Sequence, residues 1–186
     1  MSRLSGFGAV ALFVIVAGCL QPETAPDGDT TTSPYVPLLD APIRGLTSEQ
    51  IRDLREGNGA GFALPAELNG FPGPKHVLDL SDELGLTDEQ RSRVQAVRAR
   101  VMEQAPVQGE RVLQAHQRLE EAFRNRTVDA PSLQALVADV DAAYAALRFV
   151  HLAAHLEMVD VLTPHQVAQY NQLRGYGSAD HAAHTR

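Results

Sequence analysis

His151 and His155 are separated by Leu152-Ala153-Ala154. On a helix, positions i and i+4 project to the same side, so the two imidazoles could share one metal ion. If the chain doubles back between them, Met102 falls opposite His155 and supplies a thioether. Imidazole with thioether is a donor set suited to copper, and imidazole alone also suits zinc. His76, on a short helix upstream, could add a further ligand. The plainer alternative makes His151 a core histidine, His155 a flanking surface residue and His76 a surface residue near a corner. The remaining histidines have plain readings too. His116 falls on an apolar seam opposite about Asp141, which suggests a buried His–Asp pair. His165 is expected to face solvent, and His181 and His184 lie in a tail.

The spacer between His151 and His155 contains no glutamate, so the zinc-protease pattern HExxH is absent. There is no nucleophile elbow, no defensible Ser-His-Asp order and no paired carboxylates in a pocket-like context. The chain is not expected to be an enzyme. The glycine-rich run Gly57-Asn58-Gly59-Ala60-Gly61 follows no strand and is rejected as a nucleotide site. A net charge of −7 argues against nucleic-acid binding. Arginine supplies every basic residue except Lys75.

Two long helical patterns must position these side chains. The first starts at Leu86-Thr87-x-x-Gln90, where Thr87 and Gln90 form a capping box, and runs to about Asn125. Its apolar seam is Val94, Val97, Val101, Ala105, Val112, Leu119 and Phe123, and Pro106 is expected to kink it. The second is capped by Asp129 and carries Leu133, Leu136, Val140, Tyr144, Leu147, His151, Ala154, Met158 and Val161. A last helix opens at Leu162-Thr163-x-x-Gln166 and stops at Gly175. A third Leu-Thr-x-x-Gln, Leu46 to Gln50, opens a short helix. Short helical turns are expected at Leu64–Leu68 and across Val77–Leu84, ending at Gly85.

A four-residue break between long helices makes them antiparallel neighbours. With the turn centred between Val128 and Asp129, opposed residue numbers sum to about 257. The two motifs starting at Leu86 and Leu162 therefore meet at one end. The fold class is all-α: a long antiparallel hairpin with short flanking helices. Apolar surface left over on the hairpin predicts an antiparallel homodimer.

Residues 1–18 read as a secretory signal, with Arg3 ahead of an apolar run. The run ends in Val16-Ala17-Gly18-Cys19, which resembles a bacterial lipobox. That resemblance implies a lipidated Cys19 as mature N-terminus, and Leu20 after it favours the outer membrane. Cys19 is the only cysteine, so no internal disulfide is possible. Residues 19–42 are proline-rich and polar and read as a disordered tether. The helical domain is expected over 43–176, and a disordered tail over 177–186.

The paired Leu-Thr-x-x-Gln motifs around a long hairpin resemble the Spy/CpxP family of periplasmic proteins. That family includes ATP-independent chaperones and heavy-metal sensor or resistance proteins. Ala66-Glu67-Leu68-Asn69-Gly70, His76-Val77-Leu78 and Leu173-Arg174-Gly175-Tyr176 look like a lipoprotein branch of it. The resemblance implies a curved homodimer whose concave face holds unfolded or envelope proteins as clients. Arg91, Arg93, Arg98, Arg100, Arg111 and Arg118 would then line one client-binding face, their stems lying beside Val and Leu. Two alternatives are a Cu- or Zn-binding lipoprotein and a structural envelope protein that binds a partner helix. The lipid anchor and near-absence of lysine are departures from the soluble chaperones.

Overall fold

A computed structural model describes residues 32–177, and every regular element among them is helical. The described chain divides into a short segment ending at Val36 and a helical body that starts at Pro37. Cys19, the expected secretory signal, His181 and His184 lie outside the described residues.

The helical body contains α1 (Ser48–Glu56), α2 (Leu64–Glu67), α3 (Pro74–Asp79), α4 (Asp88–Arg124), α5 (Ala130–Val161) and α6 (Pro164–Leu173). Thr47, Thr87 and Thr163 each accept the N3 backbone N–H, and the matching glutamine accepts the cap's own N–H. Two orphan donors are thereby satisfied at each helix start. Asp129 and Ser132 close the equivalent box on α5.

The hairpin register follows the expected sum. Arg100 pairs with Glu157 and Arg118 with Asp139, both sums being 257, and Gln90 meets Gln166 at 256. These antiparallel contacts run from the motif end towards the tip. Each exposed pair contributes only about 0–1 kcal/mol, so packing sets the register and the charges decorate it.

Two expectations need correction. The helix expected to run through Leu84 ends at Asp79, and Leu80–Gly85 is a run of turns. Ser81 and Asp82 accept from the Arg91 guanidinium there, side chain to side chain, instead of continuing a helix. The apolar seam is also shorter than its periodicity suggests. Val94, Val97, Val101, Ala105 and Val112 are buried, but Leu119 is half-buried and Phe123 exposed. The short helices α1 and α3 pack on α4. Near the tip, the Glu120 carboxylate accepts the Arg44 backbone N–H at 3.0 Å. Burial alone would raise the Glu120 carboxyl, but bonds from Arg124 and Arg44 outweigh it and hold the group below its ordinary value.

Pro106 lies inside an unbroken α4. It packs beneath the left-handed Gly57 at the end of α1, where a Cβ would lie 2.6 Å from the proline Cδ. Three residues on, Gly109 faces the Leu54 carbonyl. The glycine and proline together let α1 lie directly on the α4 backbone.

The hairpin tip contains one backbone feature that periodicity does not signal. Arg126 has φ 54°, and Thr127 N–H bonds to Ala122 O at 3.0 Å while Arg126 N–H bonds to Phe123 O at 3.1 Å. That is a Schellman stop with arginine where glycine is usual. Left-handed backbone costs a non-glycine residue about 1–2 kcal/mol. Arg126→Gly is therefore expected to raise stability by about 1 kcal/mol, read as a higher urea midpoint at unchanged slope. A lowered midpoint would mean that Arg126 makes compensating contacts at the tip.

Candidate functional site

A cavity of about 320 Å³ opens between α2, α3, α4 and α5, with Glu67, His76, Arg98, His151, His155 and Tyr176 in its wall. The i, i+4 spacing on α5 brings His151 and His155 to this one space, and α3 brings His76 to it. Met102 is 47% exposed and does not line the cavity. The register places Met102 opposite His155, but register fixes height along the hairpin and not the face of α4 that a side chain occupies. The expected His₂Met set is therefore not assembled. Among the described residues, no group of three or more His, Cys, Asp or Glu side chains is arranged to hold a metal ion.

The two histidines differ. His151 is 7% exposed, stacked on Phe62 with centroids 5.7 Å apart, and its buried Nε2 has no hydrogen-bond partner in the protein. Burial, with His155 and the Arg98 guanidinium nearby, holds its pKa below the ordinary 6.5. His151 is thus neutral at pH 7. His155 Nδ1 lies 2.8 Å from the Phe71 carbonyl, which accepts from it and so fixes an N–H on Nδ1. A Cβ at Gly73 would fall 3.1 Å from that Nε2, so glycine here gives the ring its room. His76 Nδ1 lies 3.4 Å from Asp79 on its own helix.

Glu67 is the organising residue that sequence reasoning did not single out for chemistry. It is buried on α2, and its Oε1 accepts from Tyr170 at 2.6 Å, Tyr176 at 3.3 Å and Arg174 Nε at 3.4 Å. Its Oε2 lies 3.6 Å from His155 Nδ1. The hydroxyl of fully buried Tyr170 in turn accepts the Gly73 N–H at 3.3 Å. Burial and the Glu67 carboxylate push the Tyr170 phenol well above its ordinary value, so it stays a donor. The stretches around Glu67 and around Arg174-Gly175-Tyr176 are far apart in sequence. This carboxylate joins them, and their co-occurrence was the only sequence signal for the contact.

His116 is corrected as well. Its ring meets Tyr144 edge-on at 5.6 Å, its Nε2 is buried without a partner, and Asp141 on the neighbouring turn is exposed. Burial lowers its pKa.

At the hairpin base the motif glutamines clasp one another. Gln90 Nε2 donates to Gln166 Oε1 at 2.8 Å and to Val161 O at 3.0 Å. Gln166 Nε2 donates to Gln90 Oε1 at 3.1 Å and to Leu84 O at 3.2 Å. The preceding leucines, Leu86 and Leu162, are buried beside them. The LTXXQ motif family matches residues 74–174, which contain both of these motifs and all of the hairpin. The chain belongs to that Spy/CpxP-like family. No curated protein and no solved structure matches the chain. The family's signature residues Leu86, Thr87, Gln90, Leu162, Thr163 and Gln166 thus form a structural joint, well separated in role from the histidine-lined cavity.

The arginines do not form the single face expected of a client surface. At 100° per residue, Arg91 and Arg98 share one side of α4, while Arg93, Arg100, Arg111 and Arg118 lie roughly opposite. Arg91 is tied to Ser81 and Asp82, Arg100 to Glu157 and Arg118 to Asp139. Arg111 bonds Gln108 on its own helix at 3.2 Å. Arg98 enters the cavity. No helix among the described residues is long and apolar enough to cross a membrane.

Proposed function

We propose that this is a periplasmic protein, anchored to the outer membrane through lipidated Cys19, that binds exposed apolar segments of unfolded envelope proteins without ATP and acts as a homodimer. One observation carries the reading. Besides its core-facing seam, α5 has a second apolar stripe: Phe149 is 71% exposed, Leu156 60% and Val159 37%, with half-buried Leu152 between them. A helix apolar on two sides needs a second partner, and a contiguous exposed apolar stripe marks an interaction surface. Membership of the Spy/CpxP-like family supports a client as that partner.

The mature protein at stoichiometric ratio is expected to suppress aggregation of a chemically denatured client. Phe149→Ser/Leu156→Ser is expected to lose most of that effect with little change in Tm, because both side chains are already solvated. Unchanged aggregation with the wild-type protein would end the proposal.

A second reading, a Cu- or Zn-binding sensor or resistance lipoprotein, is favoured by the Nε2 atoms of His151 and His155. The first is buried without a partner, and the second belongs to a ring held at Nδ1 by the Phe71 carbonyl, the kind of orienting contact a ligating imidazole uses. With Met102 elsewhere, the protein supplies these two nitrogens and at most His76. Calorimetric titration with Cu and Zn is expected to show one site that His151→Ala/His155→Ala abolishes. Equal binding by both proteins would eliminate it.

A further inference from the structure

The cavity contains a cation that the fold does not use. Arg98 projects into it from α4 and makes no hydrogen bond or ion pair among the described residues, whereas Arg91, Arg93, Arg100, Arg111 and Arg118 are all bonded. Beside it stands His151, 7% exposed, whose Nε2 is buried without a partner. The buried His151 Nε2 forgoes the bond it had in water, and the half-buried Arg98 guanidinium has no anion of the protein to pair with. The other walls include Ala63, Leu64, Val101 and Ala154, which are apolar.

We propose that this cavity binds a small carboxylate with an apolar tail, the carboxylate seated on Arg98 and the tail lying against Leu64, Val101 and Ala154. A guanidinium offers a carboxylate two parallel N–H bonds. A volume of about 320 Å³ admits an organic acid of several carbons or the last residue of a peptide chain. Glu67 Oε1 accepts from Tyr170, Tyr176 and Arg174, and Lys75 is paired with Asp79, which leaves Arg98 as the cation of the lining without an ion pair. This inference concerns the cavity and is independent of client binding on the α5 stripe.

The test uses the mature chain with a chelator present, so that metal binding plays no part. Sodium hexanoate, hexanol, a short apolar peptide and its C-terminally amidated form are titrated by ligand-observed NMR. Hexanoate is expected to bind and hexanol not. A free acid is the relevant source if the peptide fails, and a chain terminus if the peptide binds and its amide does not. Arg98→Gln is expected to weaken binding at least tenfold with Tm unchanged, and Arg98→Lys to retain part of it. Equal binding of hexanoate and hexanol, binding of neither the acid nor the peptide, or unchanged affinity in Arg98→Gln would overturn the proposal.

Discussion

Gly109→Ala is expected to destabilise the protein by about 2–4 kcal/mol, against the direction that helix propensity predicts. Alanine in a helix interior is favoured over glycine by about 1 kcal/mol. At position 109, however, a Cβ would stand 1.8 Å from the Leu54 carbonyl oxygen and 2.6 Å from its carbon. Those are backbone atoms of α1, and no rotamer change relieves the overlap. Helix α1 must withdraw, and with it Ile51 and Leu54, which are both buried. Uncovering such side chains costs about 1.5–3 kcal/mol each when complete, and overpacking strain typically costs about 1–3 kcal/mol. Partial withdrawal outweighs the propensity gain. For a domain of this size the loss corresponds to a Tm lower by roughly 5–15 °C. Gly59→Ala is the control, since a Cβ there meets nothing within 4 Å; its Tm should barely move. If Gly109→Ala matched or exceeded wild-type stability, α1 would not be seated on α4 in solution.

Residues 57, 106 and 109 also show where sequence reading stopped. The caps at Thr47, Thr87, Asp129 and Thr163 were legible because a cap is a local device, spelled out within four residues. The hairpin register was legible because a short turn and a rise of about 1.5 Å per residue leave little freedom. The face of α4 that each side chain occupies was less so. Summed numbers placed Met102 at the height of His155 but could not say that it points elsewhere. A glycine in the middle of α4 reads as a propensity defect until the opposing carbonyl is seen. In the same way Glu67, Tyr170 and Tyr176 are ordinary residues when taken singly. Their connection depends on α2 folding back beside the end of α6, a contact between residues about a hundred apart that no local pattern encodes. The candidate site was therefore half legible: the histidine spacing was a local signal, and its neighbours Glu67 and Arg98 were matters of tertiary placement.

Gln166→Glu is expected to cost about 3 kcal/mol or more at pH 7, although a capping box accepts either side chain. The helix start itself loses nothing, because a carboxylate can still accept the Thr163 N–H as Gln166 Oε1 does at 2.9 Å. The loss lies on the other side of the amide. Gln166 is 8% exposed, and its Nε2 donates to Leu84 O and Gln90 Oε1. A carboxylate oxygen there faces two acceptors and carries a charge out of water. Each such unmet buried group costs about 1–3 kcal/mol, more when charged. Protonation returns one donor, so the carboxyl introduced by Gln166→Glu should have a folded-state pKa above the unfolded value of about 4.3. The stability deficit is then smallest below that unfolded value and grows as pH rises through the folded one. The first motif supplies the comparison. Gln50 is exposed and bonded only to Thr47 within its own box, so Gln50→Glu should change stability by under about 0.5 kcal/mol. Urea titrations of the two variants, at pH 7 and again near pH 4, separate the roles. Equal, pH-independent effects would mean that the motif only starts helices. A large, acid-relieved loss confined to Gln166 would show why the paired motifs need glutamine: its oxygen caps one helix while its nitrogen fastens the other.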